Sequence, residues 1–116
     1  MATEFVTTKP NSDSITLSVN TNGMKASTSI SLNGMLLKSL DDSFTDFYIG
    51  TNQGLNGNTL TVTTYISRYP SIASTSQVDF MLNGAASVSP DNPHVSSEPF
   101  PANAPVVPHF MTYYFM

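Results

Sequence analysis

Few side chains in this sequence could carry acid–base, nucleophilic or metal chemistry: two histidines, six aspartates, two glutamates and no cysteine. His94 follows Asp91-Asn92-Pro93, which places an imidazole close to a carboxylate. Such a pair is raw material for a metal site or a general base. No H-x-x-x-H spacing accompanies it, and both His94 and His109 directly follow prolines, as loop histidines do. Asp41, Asp42 and Asp46 form the one acidic cluster, and Asp-Asp-Ser-Phe-Thr-Asp could offer calcium three carboxylates. The glycine-marked EF-hand pattern is missing, and a solvated turn favours the same residues. We therefore expect no metal, with these three aspartates as the weak candidates.

Hydroxyls are abundant, at 16 Ser and 14 Thr, yet there is neither a G-x-S-x-G elbow nor an S-x-x-K. Glu4, Glu98 and the aspartates are dispersed, so no carboxylate pair of the glycosidase kind can be named. Gly54 and Gly57 make neither a P-loop nor a dinucleotide fingerprint. The expectation is a non-enzyme without cofactors. The aromatics say more. Tyr48, Tyr65, Tyr69, Tyr113 and Tyr114 suit rims and interfaces, where tyrosine supplies contact area at low entropic cost. Ordinary cross-strand packing is the competing account, chiefly for Tyr65. Six methionines, among them Met35, Met81, Met111 and Met116, suit irregular contacts or plain core filling.

These residues must be held by a chain of 116 residues and 12.5 kDa, the length of one domain. The net charge is −4 and only 10% of residues are charged, against about 25% in ordinary soluble domains. Lys9, Lys25, Lys38 and Arg68 cannot by themselves make a nucleic-acid-binding face. Without cysteine there is no disulfide framework and no thiolate zinc site. No apolar run approaches the ~18 residues of a membrane span. The N-terminus, Met1-Ala2-Thr3-Glu4-Phe5, reads as a natural start without a secretory leader, and no N-x-Ser/Thr sequon follows. Synthesis in the cytoplasm is expected. A surface rich in Ser, Thr and Asn fits later work outside, as in a virion, phage or surface assembly.

Period-two alternation dominates the chain. It predicts strands near 14–21, 25–32 and 35–40, joined as a meander by Asn22-Gly23 and Asn33-Gly34, dipeptides suited to type I′ turns. Further strands are expected at 44–49, 59–68 and 78–82, with Asn83-Gly84 turning the chain into 85–88. The glycine-rich stretch 50–58 reads as an exposed loop. Leu-Asn-Gly recurs at unequal spacing, as reused turn chemistry rather than a solenoid repeat. Six of the eight prolines fall between Pro90 and Pro108, so 89–109 reads as an extended strap. The aromatic end 110–116 reads as a final strand, docked in this chain or in a neighbour.

Seven to nine short strands point to an all-β fold, an antiparallel β-sandwich of the jelly-roll or immunoglobulin-like kind. The expected core is Ile15, Leu17, Val19, Ile30, Leu32, Phe47, Ile49, Leu60, Val62, Ile66, Val78, Phe80 and Leu82. The favoured function is a structural or assembly module that meets copies of itself or other subunits through Phe110, Met111, Tyr113, Tyr114, Phe115 and Met116. The alternative is a module that binds glycans or a protein surface through the 50–58 and 41–46 loops, with Asn52, Asn56, Asn58 and Tyr48 as contacts.

Overall fold

Alternating apolar and hydroxyl-bearing residues fold into ten strands in a computed structural model, which describes residues 2–68, 74–101 and 104–116. In chain order they are β1 (Ala2–Thr7), β2 (Ser14–Asn20), β3 (Ala26–Leu32), β4 (Met35–Asp41) and β5 (Phe44–Thr51). A single helical turn follows, α1 (Asn52–Leu55), and then β6 (Thr59–Ser67), β7 (Thr75–Asn83), β8 (Ser87–Ser89), β9 (His94–Pro99) and β10 (Val106–Phe115). They form a six-stranded sheet, β4-β3-β6-β10-β1-β8, and a four-stranded sheet, β5-β2-β7-β9. Pairing is antiparallel throughout except between β1 and β10, which run parallel. The protein is thus all-β and sandwich-like, with antiparallel pairing dominant.

Every residue of the expected core is buried except Leu32 and Phe47, which are half-buried against it. Two strands enlarge that core. From β1 comes Val6, and from β10 come Val107, Met111, Tyr113 and Phe115. β1 is absent from the sequence reading because its inward positions are Glu4 and Val6, an apolar pattern broken by a carboxylate.

The sequence reading needs three corrections. First, the described residues form ten strands rather than seven to nine. Second, the meander exists only as the β3–β4 hairpin, where Asn33 (φ +51°) and Gly34 (φ +82°) make the expected two-residue turn between Leu32 and Met35. Asn22 (φ +56°) and Gly23 (φ +80°) turn just as tightly, with the Met24 N–H donating to the Thr21 carbonyl at 3.2 Å, but the chain leaves into the other sheet. Both edges of β2 are taken by β5 and β7, and both edges of β3 by β4 and β6. The dipeptide dictates a turn, not the strand's neighbour. Asn83-Gly84 likewise leads from one sheet to the other. A Cβ on Gly84 would collide with the Ser14 carbonyl oxygen, and its φ of +101° suits glycine alone.

Third, the proline-rich stretch is not one strap. It contains edge strand β9 and the beginning of β10. Pro108 is accepted inside β10 because β1 first pairs at Ala2 with Met111. Up to that point β10 has β6 as its sheet neighbour, so the missing N–H can face an unpaired side. In the 50–58 loop, Thr51 caps α1 by accepting the Gly54 N–H on its hydroxyl at 3.0 Å.

Candidate functional site

β10 runs through the middle of the six-stranded sheet, so the aromatic tail docks within its own chain. Its parity divides the expected interface residues. Met111, Tyr113 and Phe115 point into the core, while Phe110, Tyr114 and Met116 lie outside it. Tyr114 stacks on Phe5 of β1, with ring centroids 5.8 Å apart. Towards the other end of the same outer face, past Phe110, stand Tyr65 of β6 and Val106, each more than 40% exposed. Across β3, β6, β10 and β1 the remaining outward positions are Ser, Thr and Pro, and none is charged. The result is an aromatic and hydroxyl-rich face on an acidic chain. Tyr69 lies outside the described residues.

The expected ligand-binding amides are engaged inside the molecule. Asn52 is fully buried. Its Oδ1 accepts the Lys9 N–H at 2.9 Å, and its Nδ2 donates to the carbonyls of Asp13 and Gly84, both at 2.9 Å. Asn56 Nδ2 donates to the Thr8 hydroxyl at 2.8 Å. Asn58 donates to the Gly54 carbonyl at 2.9 Å and accepts from Asn33 Nδ2 at 2.7 Å. These side chains knit loops together at one end of the molecule. Tyr48 is exposed on the outside of β5.

Asp41, Asp42 and Asp46 do not converge. Among the described residues the one trio of metal-ligating atoms within 4.8 Å of one another is elsewhere. Asp42 accepts the Ala26 N–H at 3.1 Å, and Asp46 accepts from the Thr16 hydroxyl at 3.4 Å. The 41–46 turn instead helps to line a groove of about 460 Å³ on the four-stranded sheet, where Phe44, Met81 and Pro93 meet Ser18, Asn20 and Asp79.

The polar residues that the sequence reading undervalued lie between the sheets, where β10 and β1 face β7 and β9. Strict alternation along Val107, His109, Met111, Tyr113 and Phe115 turns the His109 imidazole inward, and it is 1% exposed. Its Nε2 lies 2.7 Å from the Ser76 hydroxyl and its Nδ1 lies 2.8 Å from that of Ser96. The Ser76 hydroxyl proton goes to the Glu98 carbonyl at 3.0 Å, so Ser76 accepts from the ring. Nε2 therefore carries the proton, and Ser96 donates to Nδ1. Burial lowers the His109 pKa below 6.5, partly opposed by the Glu98 charge, which favours the neutral ring. A serine and a histidine at this distance resemble a nucleophile and its base. Here both are wholly buried and the serine proton is committed to a backbone carbonyl, so the contact is structural.

A second bridge crosses between the sheets beside it. Glu4 of β1 is 0% exposed, yet its Oε1 lies 2.8 Å from His94 Nδ1 on β9 and its Oε2 accepts the Asp91 N–H at 2.9 Å. The 90–93 turn is held by Asn92, whose side chain bonds both the N–H (3.0 Å) and the carbonyl (2.7 Å) of Leu82. Tyr113, opposite Glu4 in the β1–β10 ladder, is also 0% exposed. Its hydroxyl has no hydrogen-bond partner among the described residues. Burial raises the phenol pKa, and the Glu4 charge raises it further. The signal for Glu4 was the alternation Thr3-Glu4-Phe5-Val6, which sets Glu4 on the same side as Val6.

Compared with known families, curated proteins and solved structures, the chain matches none.

Proposed function

We propose that the protein is a non-enzymatic assembly module that meets a second copy of itself through the outer face of the six-stranded sheet. One observation carries this reading: the outward positions of β3, β6, β10 and β1 hold Phe5, Tyr65, Phe110 and Tyr114 among Ser and Thr, without a charge. The chain has a net charge of −4, so copies repel except where they present an uncharged face. Exposed aromatics on a rigid sheet provide contact area with little side-chain entropy to lose. A symmetric dimer apposes such a patch to itself. The reading takes the frame as a jelly-roll-like β-sandwich, because among the described strands only the β3–β4 link stays within one sheet.

Light scattering on a size-exclusion column, across a concentration series, tests this. We expect the intact chain to form a dimer or larger assembly, and the doubly charged variant Tyr65→Glu/Phe110→Glu to be a folded monomer. A monomeric wild type at every concentration, or a variant that assembles unchanged, would refute the reading. Deleting 110–116 is not a usable test, because it removes most of a central strand.

A second reading, a binding module for glycans or another polar ligand, is supported by the groove on the opposite sheet. There the apolar floor of Phe44, Met81 and Pro93 adjoins the hydrogen-bonding groups of Asp79, Asn20 and Ser18. Glycan binding lost in Asp79→Ala, with the solution mass unchanged, would separate this reading from assembly.

A further inference from the structure

We propose that Glu4, Asp91 and His94 form a binding site for a divalent transition-metal ion of the zinc type, with Tyr113 ordering its innermost position. The inference is independent of the assembly reading. One ligand atom from each of the three residues already lies within 4.8 Å of the others. Ligands at about 2.0–2.2 Å from a tetrahedral ion stand roughly 3.3–3.6 Å from one another. The 2.8 Å between Glu4 Oε1 and His94 Nδ1 needs only a slight widening to become one edge of that polyhedron. The Asp91 side chain is exposed and can rotate to close the third position.

The donor set determines the kind of ion. One imidazole and two carboxylates suit a borderline cation, whereas calcium would ask for six or more oxygens. The site also has a graded opening: Glu4 is sealed, His94 is partly exposed and Asp91 is in solvent, so an ion can enter from the Asp91 side. Binding requires a lone pair on His94 Nδ1. In the neutral ring that proton passes to Nε2, and a protonated ring would release one proton to solvent.

The second, independent observation is the Tyr113 hydroxyl. A fully buried phenol without a partner calls for an explanation, and an ion or its bound water is one. Tyr113 is the ladder partner of Glu4 and is turned to the same interior. A water completing the ion's shell can accept the orphan hydrogen bond. The Asn92 clamp on Leu82 holds the 90–93 turn in place for the ligands on either side of it. An ion there would tie β1 of one sheet to β9 of the other.

The test titrates zinc alone into the chelator-stripped full chain by calorimetry, with cobalt absorption as a second readout of a tetrahedral nitrogen–oxygen site. We expect one ion per chain and a rise in unfolding temperature with zinc. Asp91→Asn should bind at least about tenfold more weakly while keeping its fold, because Asp91 holds Glu4 through its backbone N–H, which the substitution leaves in place. His94→Gln should abolish the cobalt spectrum. Tyr113→Phe should retain binding, weakened by roughly tenfold or less. Absence of binding to the wild type, or binding equal in wild type, Asp91→Asn and His94→Gln, would overturn the proposal.

Discussion

The two flanks of the interior are closed by different forces. Where β2 and β5 face β3 and β6, the contents are mostly hydrocarbon: Ile15, Leu17, Ile30, Leu60, Val62 and Ile66 are all fully buried, and the buried Thr28 and Thr64 hydroxyls bond each other at 2.8 Å. Where β7 and β9 face β10 and β1, the interior holds Glu4, His109, Ser76 and the Tyr113 hydroxyl. On this side Cα atoms of β10 come within 8 Å of both β7 and β9, nearer than the ~10 Å usual between packed sheets. Small residues permit that approach, and Ser76 and Ser96 then reach the His109 ring directly. The apolar flank is held mainly by non-directional burial, which tolerates sliding, with the Thr28–Thr64 contact as a directed bond within one sheet. The polar flank is held by directed bonds in a low dielectric, which fix one register and penalise any unmet group.

The difference should be measurable in urea denaturation, and the largest effect should fall on the apolar side. Leu17→Ala should cost about 3 kcal/mol, through lost burial and a cavity. Ser96→Ala should cost nearer 1 kcal/mol, since one hydrogen bond is lost at a half-buried position. Equal costs would abolish the distinction between the flanks.

A pH series sharpens it further. His109 has its pKa lowered by burial, so below pH 6.5 the unfolded chain takes up a proton that the folded chain resists. The His109 contribution to stability is therefore complete above pH 6.5 and declines as pH falls through that value towards the depressed folded pKa. His109→Gln should remove this component of the slope, whereas Leu17→Ala should lower the whole curve and leave the slope in place.

The smallest effect is expected from Tyr113→Phe. In the metal-free protein it deletes a buried hydroxyl that has no partner, so stability should stay within about 0.5 kcal/mol or rise slightly. A loss of several kcal/mol would show that the hydroxyl has a strong partner in solution. Carried out with and without zinc, the same substitution links this comparison to the proposed ion site.

Much of the frame was legible before any coordinates. Alternation located β2 to β7 to within a few residues, because one buried face imposes period two on the side chains. The Asn33-Gly34 hairpin was legible because its turn needs two positive φ angles in succession. The polar flank was not legible. Glu4 and His94 are 90 residues apart, and Ser76 and His109 are 33 apart. Nothing local marks either partner. Proline density also misled the reading of β9 and β10, since a proline is excluded from a ladder only where its nitrogen faces a neighbouring strand.

By itself the sequence determined the all-β class, most strand positions, most of the core and the absence of thiol chemistry. Each of these follows from side-chain period or composition, which are local properties. The tertiary structure decided the rest: which strands became neighbours, that the aromatic tail docks in its own sheet, and that an interior carboxylate meets an imidazole. Strand pairing is a competition among all free edges at once, and a buried polar group is tolerable only beside its partner. Both conditions depend on residues remote in the chain, so only the folded arrangement can satisfy them.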